Sequence, residues 1–259
     1  MNKTKYKYII LLILFIILIL LCNVKDYFQN QNDEIIITLS TSPKRLNDIK
    51  ETLDSMLNQS VKPTKIFINV PYVFKRTGEE YDNTKLENIK NIDSRIQINR
   101  CEDKGPITKV LETLKLINNP NSIIIIMDDD INYNNDTIEK LTSDLKNNPN
   151  KVIAGSIFRH ENVDIVEGFK SICFHRKIFR DNFYEFVNKT NSYVHCYKSD
   201  DFIISHYLNN NNVSTIKSDI NIKILNHGLQ SDALQNQDSI NHVQRYSNCN
   251  KYINNNYKE

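Results

Sequence analysis

Apolar positions fall into two patterns along this chain. In the first, short runs stand nearly unbroken between turn residues. Glu34 to Leu39 is such a run, and it breaks into Ser40-Thr41-Ser42-Pro43. Lys65 to Pro71 is a second, and Arg95 to Asn99 alternates as a third, shorter one. Ser122 to Met127 is apolar on both faces, as expected of a central parallel strand covered by helices on either side. In the second pattern, apolar residues recur at helical spacing. They do so at Leu46, Ile49, Leu53, Met56 and Leu57 within 45–58, and at Val110, Leu111, Leu114, Leu116 and Ile117 within 107–117. A further helix is expected over 137–146, and another where Phe202, Ile203, Ile204 and Leu208 follow Asp200-Asp201. Strands alternating with helices predict an open α/β sheet. In such sheets ligands bind outside the carboxyl ends of the strands. Two of the strands end in polar clusters, Thr38/Ser40/Thr41 and Asp128-Asp129-Asp130, which should line one crevice.

The N-terminus carries a different signal. Ile9 to Cys22 is an unbroken apolar run preceded by Lys3, Lys5 and Lys7. With Tyr8 and Val24 it reaches the ~17 residues that just span a bilayer. No small-x-small cleavage site follows, so the reading is an uncleaved signal anchor with a cytoplasmic N-terminus. The expected organisation is a cytoplasmic tail over 1–7, a transmembrane signal anchor over 8–24, a polar stem over 25–33, an α/β domain over 34–246 and a polar tail over 247–259. The expectation is a single-pass type II membrane protein whose domain is lumenal or extracytoplasmic.

Bulk composition narrows the field. The 259 residues carry 33 Lys+Arg against 31 Asp+Glu, a net +2, with no basic block outside the N-terminal tail, so nucleic acid is not the expected partner. Cys101, Cys173, Cys196 and Cys249 are scattered without a CxxC pair, which argues against zinc. In a lumenal domain they allow one or two disulfides of unassigned pairing, or buried thiols. Sequons begin at Asn58, Asn135, Asn188 and Asn212. No P-loop, GxGxxG or GxSxG occurs, which argues against P-loop kinases, dinucleotide-binding dehydrogenases and α/β-hydrolases.

The chemistry is carried by acids. Three successive aspartates after a buried strand repel one another unless a cation compensates them. Hard oxygen ligands suit Mg2+ or Mn2+, which complete their shells with water and substrate phosphates. The second cluster, Asp200-Asp201, opens a helix. There an acid is favoured by the helix dipole, can cap the helix, or can take a proton from a hydroxyl.

In order and spacing these segments resemble the GT-A glycosyltransferases, in particular the family-2-like group. The resemblance runs from Ile37-Thr-Leu-Ser-Thr-Ser-Pro-Lys-Arg45 through Leu57 to Pro63, Asp103-Lys-Gly-Pro-Ile-Thr-Lys109 and Met127-Asp-Asp-Asp-Ile-Asn-Tyr133 to Val166-Glu-Gly-Phe-Lys170 and Ser199-Asp-Asp-Phe-Ile203. It implies a Rossmann-like open mixed sheet flanked by helices. It also implies transfer of sugar from a UDP- or GDP-sugar to a glycan, protein or lipid hydroxyl. Thr38, Ser40, Arg45, Asp103, Lys109, Asp128 and Asp129 would bind the nucleotide-sugar. Asp130 and Asp128, with His227 as a further ligand, would hold Mn2+ or Mg2+. Asp201 or Asp200 would be the base of an inverting displacement. Arg245-Tyr246 would reach a phosphate from the C-terminal segment. The second acidic motif is Asp-Asp where family members often show Glu-Asp. Exostosin-like transferases, which retain configuration, share a DDD motif, so both stereochemical outcomes stay open. Two other readings remain: a metal-dependent phosphoesterase, and a membrane-anchored carbohydrate-binding or structural protein of the same fold without activity.

Overall fold

The computed structural model describes residues 34–225 and 239–257. The expected anchor and stem lie outside these residues, as does His227. Among the described residues no helix is long and apolar enough to cross a membrane.

The chain begins with β1 (Ile35–Ser40), a 3-10 turn (Lys44–Asn47), α1 (Lys50–Leu57) and β2 (Lys65–Pro71). A small hairpin, β3 (Val73–Phe74) with β4 (Glu79–Glu80), leads to α2 (Asn83–Lys90), β5 (Ile96–Cys101) and α3 (Thr108–Leu116). Then come β6 (Ile123–Ile126), β7 (Ile131–Tyr133), α4 (Thr137–Asn147) and β8 (Val152–Ala154). A hairpin of β9 (Ile157–His160) and β10 (Val163–Val166) precedes β11 (Ile172–His175), α5 (Asn182–Thr190), α6 (Val194–Tyr197) and α7 (Asp200–Asn210). The chain closes with β12 (Thr215–Lys217), β13 (Ile222–Ile224) and α8 (His242–Asn256).

Seven strands form one sheet in the order β12-β8-β11-β6-β1-β2-β5. β11 is antiparallel to both neighbours, and every other pairing in this sheet is parallel. The expected α/β architecture is therefore present, with one reversed strand in its middle. The period-two alternation of β6 divides its isoleucines between two cores. Ile123 and Ile125 pack with Leu53, Met56 and Leu141 on one face. Ile124 and Ile126 pack with Val110, Leu114 and Phe202 on the other. Full burial of each such side chain contributes about 1.5–3 kcal/mol, so a charge at Ile125 would break both the strand and the layer on it.

The helix expected over 45–58 is interrupted. Its first turn is 3-10, and a regular helix starts only at Lys50, although Leu46, Ile49, Leu53, Met56 and Leu57 are all buried as the periodicity requires. The C-terminal segment also differs from expectation. It forms a regular helix from His242 to Asn256, across the point where a polar tail was expected to begin, and it buries Tyr246, Cys249 and Ile253. Cys249 is joined to Cys196 in a disulfide, while Cys101 and Cys173 are buried thiols.

Candidate active site

The register of β1 and β6 creates the site. Thr38 lies opposite Ile126, and the Met127 amide donates to the Thr38 carbonyl at 3.0 Å. The two strands therefore release their chains side by side, Ser40-Thr41-Ser42 from one and Asp128-Asp129-Asp130 from the other. A cavity of about 370 Å3 opens at this carboxyl edge, a volume suited to a small-molecule ligand. Ser40, Arg45, Asp103, Lys109, Asp128, Asp129, Asp130, Asp200 and Asp201 all line it. Of the residues expected at the site, Thr38 does not reach the cavity. Its hydroxyl is fully buried beneath the floor, donating to the Lys109 carbonyl and lying 2.6 Å from the Thr113 hydroxyl. The Asn69 amide donates to that carbonyl at 2.8 Å and to the Thr113 hydroxyl at 2.9 Å. This network fastens α3 to β1 and β2, so Thr38 holds Lys109 in place from below.

Two cations organise the acids. Arg45 bonds the Asp129 carboxylate and lies 3.4 Å from Asp130. Asp129 is thereby turned inward, with its main-chain carbonyl accepting from Thr52 at 3.0 Å. Lys109, nearly buried, places Nζ 2.6 Å from Asp128 Oδ1 and 2.9 Å from Asp200 Oδ2. It thus joins the two acidic clusters. Burial acts against its charge, yet Asp128, Asp200 and Asp201 hold the ammonium well above the ordinary lysine range. The Asp201 Oδ1 accepts the Gly168 amide at 3.0 Å. Burial first, and then Asp200, push the Asp201 carboxyl well above the usual carboxylate range.

Gly168 leaves little room for a side chain at this point. A Cβ there would stand 3.1 Å from Lys109 Nζ and 3.2 Å from Asp201 Oδ1. β10 brings the glycine in, because the Val166 amide donates to Ser205 Oγ and Ser205 Oγ donates to the Asp201 carbonyl. Asp103 is engaged with the protein itself. Its carboxylate accepts from the amides of Lys75 and Gly105 and from the Tyr197 hydroxyl at 2.8, 2.7 and 3.2 Å. Gly105 takes φ +80 and closes that loop, and a side chain there would strike the Tyr197 carbonyl.

The donor set fits a hard divalent cation. Asp128 and Asp130 are the two members of the triplet that open towards the cavity, with side chains 27% and 20% exposed. Burial, reinforced by Asp128 and Asp129, pushes the Asp130 carboxyl up to about 6. Asp129 Oδ2 is buried without a hydrogen-bond partner. Among the described residues no group of three or more His, Cys, Asp or Glu is gathered to hold a metal by itself. One or two carboxylates with substrate phosphates and water would suffice for Mg2+ or Mn2+.

The cavity also has walls that sequence reasoning did not single out. Tyr81, whose hydroxyl donates to the Thr41 carbonyl, and Phe74 stand at the β1 end. Glu167, Lys198 and His242 stand at the Asp200-Asp201 end. Arg245 and Tyr246, read from sequence as a C-terminal phosphate contact, do line the cavity and are buried there.

A family model described as Glycosyl transferase family 2 matches residues 35–199. No curated protein matches the chain. Among solved structures, the mannosyltransferase PcManGT from Pyrobaculum calidifontis, in complex with GDP-Man and Mn2+, is similar at 13% identity and a TM-score of 0.49. The match covers 73% of this chain and 55% of that one, so the chain spans about half the length of this relative. The matched family segment holds β1, the aspartate triplet and Lys109, and it stops one residue before Asp200. The chain belongs to glycosyl transferase family 2, and its mostly parallel α/β sheet is of the GT-A type.

Proposed function

We propose that this protein transfers a sugar from a nucleotide-sugar donor to a hydroxyl acceptor, and that the reaction takes place in the cavity between Asp128 and Asp201. The observation that carries this reading is Lys109. One ammonium bonds both Asp128 and Asp200, so the acids suited to a donor diphosphate and those suited to an acceptor hydroxyl face a single space.

In this reading Ser40, Arg45, Asp103 and Lys109 bound the nucleotide side, and Asp103 acts there by shaping its loop. Asp130 and Asp128 hold Mn2+ or Mg2+, which when bound supplies positive charge for the departing nucleoside diphosphate. Asp200 serves as the counter-ion of Lys109. Asp201, whose Oδ1 holds the Gly168 amide at the cavity wall, takes the proton of the acceptor hydroxyl. Attack by that hydroxyl on the face opposite the leaving diphosphate inverts the anomeric centre. The donor is a UDP- or GDP-sugar, and the acceptor is a hydroxyl of a glycan, protein or lipid. His227 remains a candidate third ligand in the segment outside the described residues. The disulfide supports an oxidising compartment, and with it an extracytoplasmic catalytic domain on the N-terminal anchor.

The test is release of nucleoside diphosphate from a panel of nucleotide-sugars by the full-length protein in detergent with Mn2+. Turnover of one donor that is lost in both Asp130→Ala and Asp201→Asn supports the assignment. Turnover that survives Asp201→Asn removes the base, and no turnover of any donor favours the binding or structural reading.

A further inference from the structure

The helix α8 lies beyond the matched family segment, yet it forms part of the cavity wall. Its buried positions are Arg245, Tyr246, Cys249 and Ile253. That spacing gives the helix one inward stripe. The stripe meets the structure beside the acid pair. Tyr246 stacks on Phe202, the residue after Asp201, at 5.6 Å, and on Phe158 of the β9–β10 hairpin at 6.5 Å. Asn250 and Ser247 bond Glu161 at the tip of that hairpin. One turn from Tyr246, Cys249 is bonded to Cys196 of α6, the short helix that leads directly into Asp200-Asp201. The linked cysteines are 53 residues apart, so this bond ties the C-terminal helix to the acid pair independently of the intervening chain. α8 is also rich in Asn, a weak helix former, so the covalent tie reinforces side-chain contacts such as the stacking of Tyr252 on Tyr193 at 4.5 Å.

We infer that Cys196 and Cys249 are positioning residues: their disulfide holds α8 as the acceptor-side wall of the cavity, presenting Arg245 and Tyr246 beside Asp201. The inference rests on the glycosyltransferase reading of the cavity. It places α8 at the Asp200-Asp201 end, away from the β1 end where Tyr81 and Arg45 stand. Loss of the disulfide should therefore free α8 and leave donor-side binding intact.

The experiment compares full-length protein in detergent with the Cys196→Ala/Cys249→Ala variant. Amide exchange is followed over 242–256, over 199–210 and over β1 and β6, and melting is measured with UDP or GDP and Mn2+. The expected result is exchange about tenfold or more faster in α8, unchanged protection in β1 and β6, and the same nucleotide-induced shift as wild type. If the variant does not fold, wild type folded with the bond and then reduced by a phosphine gives the same comparison. In that step the disulfide gains two electrons and two protons, and the phosphine takes up oxygen from water. Unchanged exchange in α8 overturns the positioning role. A nucleotide shift lost together with α8 protection overturns the acceptor-side placement. Absence of any nucleotide shift in wild type counts against the enzyme reading instead, and the exchange data still decide whether the disulfide holds the helix.

Discussion

Lys109 and Asp200 form a buried ion pair, Nζ to Oδ2 at 2.9 Å, between the first turn of α3 and the first residue of α7. Their side chains are 9% and 11% exposed, and Asp128 shares the same ammonium. Replacing the lysine by methionine keeps its bulk and removes its charge, leaving two carboxylates facing each other without a cation. Breaking a buried pair from one side costs about 3–5 kcal/mol. Lys109→Met should lower the urea midpoint by that order, and Lys109→Arg by clearly less. Equal stability of Lys109→Met and wild type would show that the pair does not hold the two clusters together.

Gly168 tests geometry rather than stability. A methyl group there meets Lys109 Nζ at 3.1 Å and Asp201 Oδ1 at 3.2 Å, so one of them must move by a few tenths of an ångström. Gly168→Ala is expected to change stability by less than about 1 kcal/mol and to lower transfer by about tenfold or more, because small misplacements of reacting groups are costly. The check is denaturant melting and turnover on the same sample.

His206 gives a pH dependence. Burial lowers its proton affinity, and its ring stacks on Phe186 at 5.7 Å. The folded protein then binds the proton less readily than the unfolded chain. The stability is present above the unfolded value of about 6.5 and is lost as pH falls through it. Asp130, pushed up to about 6 by burial and its neighbouring aspartates, acts with the opposite sign over the range from about 6 down to its unfolded value near 4. The informative quantity is therefore a difference. Between pH 7.5 and 5 the urea midpoint of wild type should fall more than that of His206→Gln, and parallel profiles would contradict the assignment.

Parts of this architecture were legible because they depend on short-range pattern. The isoleucine runs of β1 and β6 are buried on both faces, and nothing local competes with that reading. The two acid clusters stood out because acids following a buried strand or opening an apolar helix are costly without a purpose. What was not legible depends on long-range pairing. β11 is only four residues, and nothing in Ile172–His175 announces that it inserts antiparallel between β6 and β8. Thr38 was expected at the nucleotide, but its hydroxyl is claimed by Asn69 and Thr113 from two other elements. α8 was expected to be a polar tail from 247 because its outer face is asparagine. Its inward residues, Tyr246, Cys249 and Ile253, matter only once Cys196 and Phe202 are beside them.

The central claim is that the cavity binds a nucleoside diphosphate together with a divalent cation at Asp130. The most direct measurement is thermal melting of the full-length protein in detergent with UDP or GDP, each with and without Mn2+, on wild type and Asp130→Ala. A nucleotide at 100 times its dissociation constant should add about 2.7 kcal/mol of stability. The expected result is a raised midpoint that needs both nucleotide and metal and disappears in Asp130→Ala. A wild type that melts cooperatively and shifts with no nucleoside diphosphate, or an Asp130→Ala variant that shifts as wild type does, would contradict it.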